Sequence, residues 1–410
     1  MICLYDIVLW FYRLAIYCIA PFNYKARLWI KGRKKILQRI RQAIPPSTSL
    51  IWIHCSSLGE FEQGRPLIEE IKRKYPQFKI LLTFFSPSGY EIRKNYPIAD
   101  WVFYLPPDTS YNANKFIEIC RPQKIFFVKY DFWYHYIYVA NKNKIPIYLI
   151  SGIFRNDQIF FKFYGSWYRK VLGLFKHLFV QDQLSEQLLQ LNGIKNVSVA
   201  GDTRFDRVYA ISRQATGNTI VEQFSGSYKT LIAGSTWEKD EILLSEYINN
   251  CKDNDYRFIF APHEIDQAHI LRLQSMLLLP SVRFSRIDGF VPPDVRVLII
   301  DTMGMLASVY RYGTIAYVGG GFGSGIHNTL EPAVFGLPVI FGPVYHKFNE
   351  AIALLNLNAG FTVSTFEELA NILNRLFTDD RFRINCAERA AQYTFSMTGA
   401  TEKILSATFS

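Results

Sequence analysis

A short stretch gathers side chains that could do chemistry together: His327, Asn328 and Glu331, just after Gly319, Gly320, Gly321, Gly323 and Gly325. Glycines let backbone N–H groups approach an anion, and a following helix N-terminus adds partial positive charge. Asn328 stands at an N-cap position for a helix expected over residues 328–335, and Glu331 completes a box-like pattern. A carboxylate on that first turn can accept two hydroxyls of a sugar ring. A tight turn and a capped helix in an ordinary α/β domain would fit the same residues.

Glu60 is the second candidate. It is a lone carboxylate in the turn Ser56-Ser57-Leu58-Gly59-Glu60, after the apolar run Leu50–Cys55. Such a group suits a general base, typically worth about 10²–10⁴-fold in rate. It also suits a helix N-terminus, where the dipole favours negative charge.

These candidates follow apolar runs that read as strands. Strands are expected at 50–55, 79–84, 102–105, 124–128, 145–150, 178–181 and 197–200, alternating with helices. A second series follows at 230–233, 257–261, 295–300, 314–318 and 338–341, with helices prevailing from Phe366. The alternation implies two parallel sheets in doubly wound domains, and ligands bind such sheets at the carboxyl ends of the strands. The polar clusters fall there: Gly234-Ser235-Thr236, Pro262-His263-Glu264 and Asp301-Thr302-Met303-Gly304. The polar run 206–228, with Gly217, Asn218, Gly226 and Ser227, reads as the linker. Two such domains facing a cleft are the GT-B architecture of glycosyltransferases, an analogy of fold only. The expected division is 1–45 for an apolar helix and basic segment, 46–210 for an acceptor-binding domain and 211–410 for a nucleotide-sugar domain. The last helix is a candidate to pack back on the first domain.

Length and charge agree. A chain of 410 residues with 49% hydrophobic content suits two or three domains, and its net charge of +11 favours anionic partners. The six cysteines are scattered without a CxxC, which argues against a zinc site or a disulfide framework. Residues 2–20 are apolar except for Asp6 and Arg13, and lack the basic start and cleavage site of a signal peptide. The run is marginal for crossing a bilayer, which needs about 20 residues. Lys25, Arg27, Lys31, Arg33, Lys34, Lys35, Arg39 and Arg41 follow with no acid among them. An apolar helix followed by a polybasic segment reads as an anchor on the cytoplasmic face of a membrane. A buried helix followed by a solvated basic one is the alternative. No nucleic-acid-binding motif accompanies the charge.

Five places together resemble the bacterial 3-deoxy-D-manno-oct-2-ulosonic acid (Kdo) transferases. They are the N-terminus ending in Gly32-Arg33-Lys34, Trp52-Ile53-His54 to Gly59-Glu60, and Gly201-Asp202-Thr203-Arg204-Phe205-Asp206. Gly234-Ser235-Thr236 with Glu238 and Glu241 is the fourth, and Asp301-Thr302-Met303-Gly304 leading to His327-Asn328-Thr329-Leu330-Glu331-Pro332-Ala333 the fifth. The resemblance implies an inverting transfer of Kdo from CMP-Kdo to lipid IVA, the phosphorylated, acylated disaccharide precursor of lipid A. It implies lipopolysaccharide biosynthesis at the cytoplasmic face of the inner membrane, with no metal or other cofactor. Glu60 matches the family's base. Ser235, Thr236, His263, Met303, Gly304, Gly320, Gly321, His327, Asn328 and Glu331 fall to the CMP-Kdo site. Ser57, Gly59, Asp131, Arg155 and Arg204 fall to the acceptor or to charge compensation, with an Arg204 pair to Asp202 or Asp206 as the structural alternative.

The chain departs from the family pattern in three places. Ala261-Pro262-His263 stands for Pro-Arg-His, Lys129-Tyr130-Asp131 keeps one of two expected acids, and Ser151-Gly152-Ile153 replaces Asn-Ala-Arg, with Arg155 as a substitute. The competing readings are another GT-B transferase using a UDP-sugar and a lipid acceptor, and a non-catalytic membrane-associated lipid-binding protein.

Overall fold

The computed structural model describes residues 1–214 and 217–409. It divides into two units, Met1–Asp206 with Thr398–Ser410, and Arg207–Met397.

Seven parallel strands form the sheet of the first unit: β1 Leu50–Cys55, β2 Lys79–Phe84, β3 Trp101–Tyr104, β4 Lys124–Val128, β5 Ile147–Gly152, β6 His177–Val180 and β7 Val197–Val199. Their order is β3-β2-β1-β4-β5-β6-β7, so β1 and β4 lie side by side near the middle. Every residue of β1 is buried. Strands covered on both faces read as continuous apolar runs, which is why Leu50–Cys55, Lys79–Phe84 and Lys124–Val128 were expected with these bounds. Trp52, Leu81, Phe116 and Phe127 pack on one face of the sheet, and Ile53, Phe61, Phe84 and Phe126 on the other. Burying each such side chain contributes about 1.5–3 kcal/mol.

The second unit holds β8 Lys229–Thr236, β9 Tyr256–Pro262, β10 Ser281–Arg283, β11 Val297–Ile299, β12 Ile315–Val318, β13 Val339–Phe341 and β14 Gly360–Thr362. These are ordered β10-β11-β9-β8-β12-β13-β14, again all parallel. β10 and β14 were not expected. Each is a three-residue edge strand, too short to carry a periodic signal.

The linker expected over 206–228 is instead mostly helical where it is described, Thr203–Gln214 and Thr219–Ser225; residues 215 and 216 lie outside the described residues. The polar signals there are helix ends: Asn218 accepts from the Val221 N–H as an N-cap, and Gly226 closes the second helix.

Helix Ile2–Ile19 has no buried residue. Tyr5, Leu9, Arg13 and Ile16 are half-buried, three to four apart on one face, while Ile2, Leu4, Ile7, Val8, Trp10, Phe11 and Leu14 are exposed. Asp6 binds His135 at 2.6 Å and the Tyr5 hydroxyl donates to Asp108 at 2.6 Å, so the helix is tied to the first unit by its polar groups. The basic segment is not uniformly solvated. It forms helices Tyr24–Arg33 and Ile36–Ala43, whose Ile36 and Ile40 enter the core. Arg33 turns inward, donating to the carbonyls of Leu105 and Phe85 beneath the rings of Trp29 and Tyr104. Burial lowers its pKa to about 9.

Candidate active site

In the first unit β1 ends at Cys55, and Ser57 caps the helix Leu58–Lys74. Glu60 is the third residue of that helix rather than a member of an open turn. Its Oε2 accepts from the Ser57 N–H at 3.1 Å, and its own N–H donates to Ser57 Oγ at 3.4 Å. This is a capping box, so Glu60 has a structural duty as well as any chemical one.

Nor is it a lone carboxylate. β4 ends beside β1, and Asp131, three residues past that end, reaches the same place. Ser56 Oγ donates to Asp131 Oδ1. Asp131 Oδ2 lies 3.1 Å from His54 Nε2. That nitrogen also accepts from Trp133 Nε1 at 3.1 Å, so Oδ2 is left without a donor. His54 Nδ1 is 2.8 Å from Thr83 Oγ1, which takes a further bond from Trp52 Nε1 at 2.7 Å. Burial, with the charge of Asp131 next, pushes the Glu60 pKa up to about 8, while the Ser56 and Ser57 amides and Lys129 pull it down. Glu60, largely out of water beside the Asp131 charge, therefore holds a proton that exposed carboxyls release.

The other first-unit candidates divide. Ser57 is the cap. Gly59 is exposed, and a Cβ there would meet no atom within 4 Å, so packing does not demand glycine. Arg204 pairs with buried Asp202, Nη2 to Oδ2 at 2.7 Å, the structural alternative weighed for it. Asp206 takes the Thr401 N–H at 2.7 Å. Arg155 is exposed, its N–H bonded to Gln158 Oε1.

In the second unit the ends of β8, β9 and β12 converge. Ser235 has φ 53, the left-handed region, and the chain then enters helix Glu238–Asn250. Trp237 stacks on His263 at 4.6 Å between ring centroids, and His263 on His327 at 4.5 Å. Trp237 Nε1 donates to His327 Nε2 at 3.0 Å. Burial, with His263 beside it, lowers the His327 pKa to about 4, so the ring is neutral near pH 7 and its Nε2 accepts. A cavity of about 390 Å³ opens against Trp237, Lys239, Asp240, Gly320 and Phe322.

The glycine loop differs from expectation. The Gly320 N–H donates to Asp240 Oδ2 at 2.9 Å, so it is not offered to a phosphate, and the Gly323 N–H turns back to Gly320 O at 3.0 Å. A Cβ on Gly319 would lie 2.3 Å from Ser235 O, and one on Gly321 would lie 2.6 Å from Gly342. These glycines let neighbouring loops approach. The helix after the loop is only Leu330–Ala333, with Thr329 at its N-cap, too short for a useful dipole. Asn328 still works locally: Oδ1 accepts from the Leu330 N–H, and Nδ2 donates to Glu331 Oε1, both at 3.1 Å. Thr236 Oγ1 donates to buried Glu241. Met303 is exposed, and Gly304 has φ 87.

The structure therefore brings Glu60 to Asp131, and Ser235, Thr236, His263, Gly320 and His327 to one sheet edge. Sequence reasoning missed His54, Trp133, Trp237 and Asp240. His54 stood within a quoted motif; nothing local marks Asp240, whose partner Gly320 is 80 residues away.

Comparison with known proteins agrees with this layout. Residues 31–207 match the family described as 3-Deoxy-D-manno-octulosonic-acid transferase (kdotransferase). The chain is 28% identical over 353 residues to a 3-deoxy-D-manno-octulosonic acid transferase of Aquifex aeolicus, covering 84% of this chain and 91% of that protein. It is 26% identical over 361 residues to the enzyme of that name from Chlamydia muridarum, covering 84% and 82%. The UDP-GlcNAc 2-epimerase of Neisseria meningitidis, solved bound to UDP-GlcNAc, superposes with a TM-score of 0.63 at 15% identity over 88% of this chain and 99% of that one, a likeness of fold alone. The chain is a glycosyltransferase of GT-B type, similar along most of its length to the Kdo transferases.

Proposed function

We propose that this glycosyltransferase, with its Kdo transferase domain at residues 31–207, moves Kdo from CMP-Kdo to a hydroxyl of lipid IVA in lipopolysaccharide biosynthesis, with inversion. The observation that carries the reading is the Glu60–Asp131 pair at the carboxyl ends of β1 and β4, with Glu60 pushed up to about 8. A carboxylate of raised pKa is a stronger base toward an alcohol. Ionised Glu60 takes the acceptor's hydroxyl proton, and the oxygen bonds to the anomeric carbon of Kdo. The bond from that carbon to the CMP phosphate oxygen breaks, and CMP leaves with the electron pair. Asp131, held by the Ser56 hydroxyl and lying beside His54, raises the basicity of Glu60 by its charge. In the second unit, Glu331 is assigned to the ribose hydroxyls, Met303-Gly304 to the base, and Ser235 and Lys239 to phosphate and carboxylate charge, whereas the buried Thr236 hydroxyl is committed to Glu241. His263 and neutral His327 offer stacked faces and a fixed acceptor.

The outward apolar side of the Ile2–Ile19 helix supports a place at the cytoplasmic face of the inner membrane, lying in the interface. No step in this scheme needs a metal, so transfer is expected to persist in EDTA; loss of turnover restored by a divalent cation would overturn that. The direct test mixes the full chain with a tetraacyl lipid A precursor and either CMP-Kdo or UDP-sugars, and reads product mass. A gain of Kdo mass supports the reading; a gain only with a UDP-sugar refutes it.

A further inference from the structure

Helices Tyr24–Arg33 and Ile36–Ala43 meet at Lys34-Lys35, where Lys35 takes φ 52 and no side chain caps the second helix. A cavity of about 420 Å³ opens at this junction, walled by Arg13, Trp29, Lys31, Lys34, Lys35 and the first residues of the second helix. No acid lines it. Among the described residues none of Arg13, Lys31, Lys34 and Lys35 pairs with a carboxylate. Trp29 is only 5% exposed, yet its indole N–H has no partner. A buried donor left unsatisfied is unfavourable, and four cations drawn together repel. An anionic guest relieves that repulsion.

We propose that this cavity binds the phosphate monoester of a lipid. Arg13 is the sole basic residue of the Ile2–Ile19 helix, so the cavity opens beside that helix's exposed apolar side. Its volume exceeds a phosphate and leaves room for part of the sugar or glycerol that carries it. From its wall the rings of Trp29, Phe85 and Trp133 follow one another at 6.0 and 4.5 Å, and Trp133 bonds His54 beside Asp131. A phosphate on the transferase's own acceptor and a phospholipid headgroup share the required chemistry. The first source rests on the Kdo-transfer reading; phosphate binding itself does not.

The test needs no donor sugar, so its result is separate from that of transfer. Binding of the full chain in neutral detergent is measured to the bisphosphorylated tetraacyl disaccharide, to the same lipid after phosphatase, and to phosphatidylcholine vesicles with and without phosphatidic acid. The double variant R13Q/K34Q changes two half-buried or exposed residues, and its melting temperature checks the fold. The expected result is about tenfold weaker binding to the phosphorylated ligands, with no change for the dephosphorylated lipid or neutral vesicles. Loss confined to the disaccharide assigns the site to the acceptor; loss on phosphatidic acid as well assigns it to lipid phosphates generally. Equal wild-type affinity for phosphorylated and dephosphorylated lipid would overturn the proposal. So would a variant that binds every ligand as wild type does, or one that loses affinity for all of them alike.

Discussion

Replacing Glu60 by Gln separates its observed duty as a helix cap from its proposed duty as the base. Glutamine keeps a carbonyl oxygen for the Ser57 N–H, so the capping box survives. It cannot take a proton from an alcohol. Losing a general base costs about 10²–10⁴-fold in transfer, read in single-turnover reactions by product mass. Stability should move the other way. Burial and Asp131 raise the Glu60 pKa from 4.5 to about 8. The folded chain therefore holds a proton that the unfolded chain has released. The penalty is absent below about pH 4.5, grows between the two values and is complete above about 8. Its ceiling is about 5 kcal/mol, shared with Asp131. The Glu60→Gln variant should thus melt at a higher temperature than wild type near pH 9, and about equally near pH 4. Transfer within about twofold of wild type would refute the base assignment. Melting curves that run parallel across this range would refute the burial argument.

Other consequences follow from the same geometry. As the proposed base, Glu60 acts when ionised, so transfer should rise with pH through about 8, and Asp131→Asn, which removes the neighbouring charge, should move that rise toward acid; an unmoved profile would show that Asp131 does not set it. Trp237→Phe removes the N–H that the indole gives His327 Nε2 and should weaken CMP binding about fivefold by calorimetry, whereas unchanged affinity would take the ring stack out of the proposed donor site. Arg33→Lys loses the fork that spans the Leu105 and Phe85 carbonyls and should cost about 2–3 kcal/mol in urea unfolding; a loss under about 0.5 kcal/mol would mean the buried guanidinium contributes little.

The parts visible in the sequence are those whose cause is local. β1, β2 and β4 are covered on both faces, so their apolar runs mark their bounds. Glu60 was found because a cap pattern and a strand end adjoin it. Its environment was not, because Asp131 is brought to Ser56 across 75 residues by the pairing of β1 with β4. The glycine loop misled for a related reason. Gly319 and Gly321 resemble an anion cradle in isolation, but the backbones they admit, Ser235 and Gly342, come from other strands. Arg33 looked like one more surface cation; its burial depends on carbonyls of Phe85 and Leu105 that no window around residue 33 contains.

The helix Ala400–Phe409 belongs to the first unit, although nearly two hundred residues of the second intervene. Ile404 and Leu405 enter the core with Ile53 and Phe126, Phe409 stacks on Tyr75 at 4.4 Å, and Asp206 receives the N–H groups of Gly399 and Thr401. On the ribosome, then, the first unit begins before the second but is completed after it. The second unit has all its parts once residue 397 has emerged. Until residues 400–409 follow, Ile53 and Phe126 stay incompletely covered, and that interval is when a nascent chain is open to chaperones and to aggregation. The first half of the chain therefore waits on helix Ala400–Phe409 for the last part of its core.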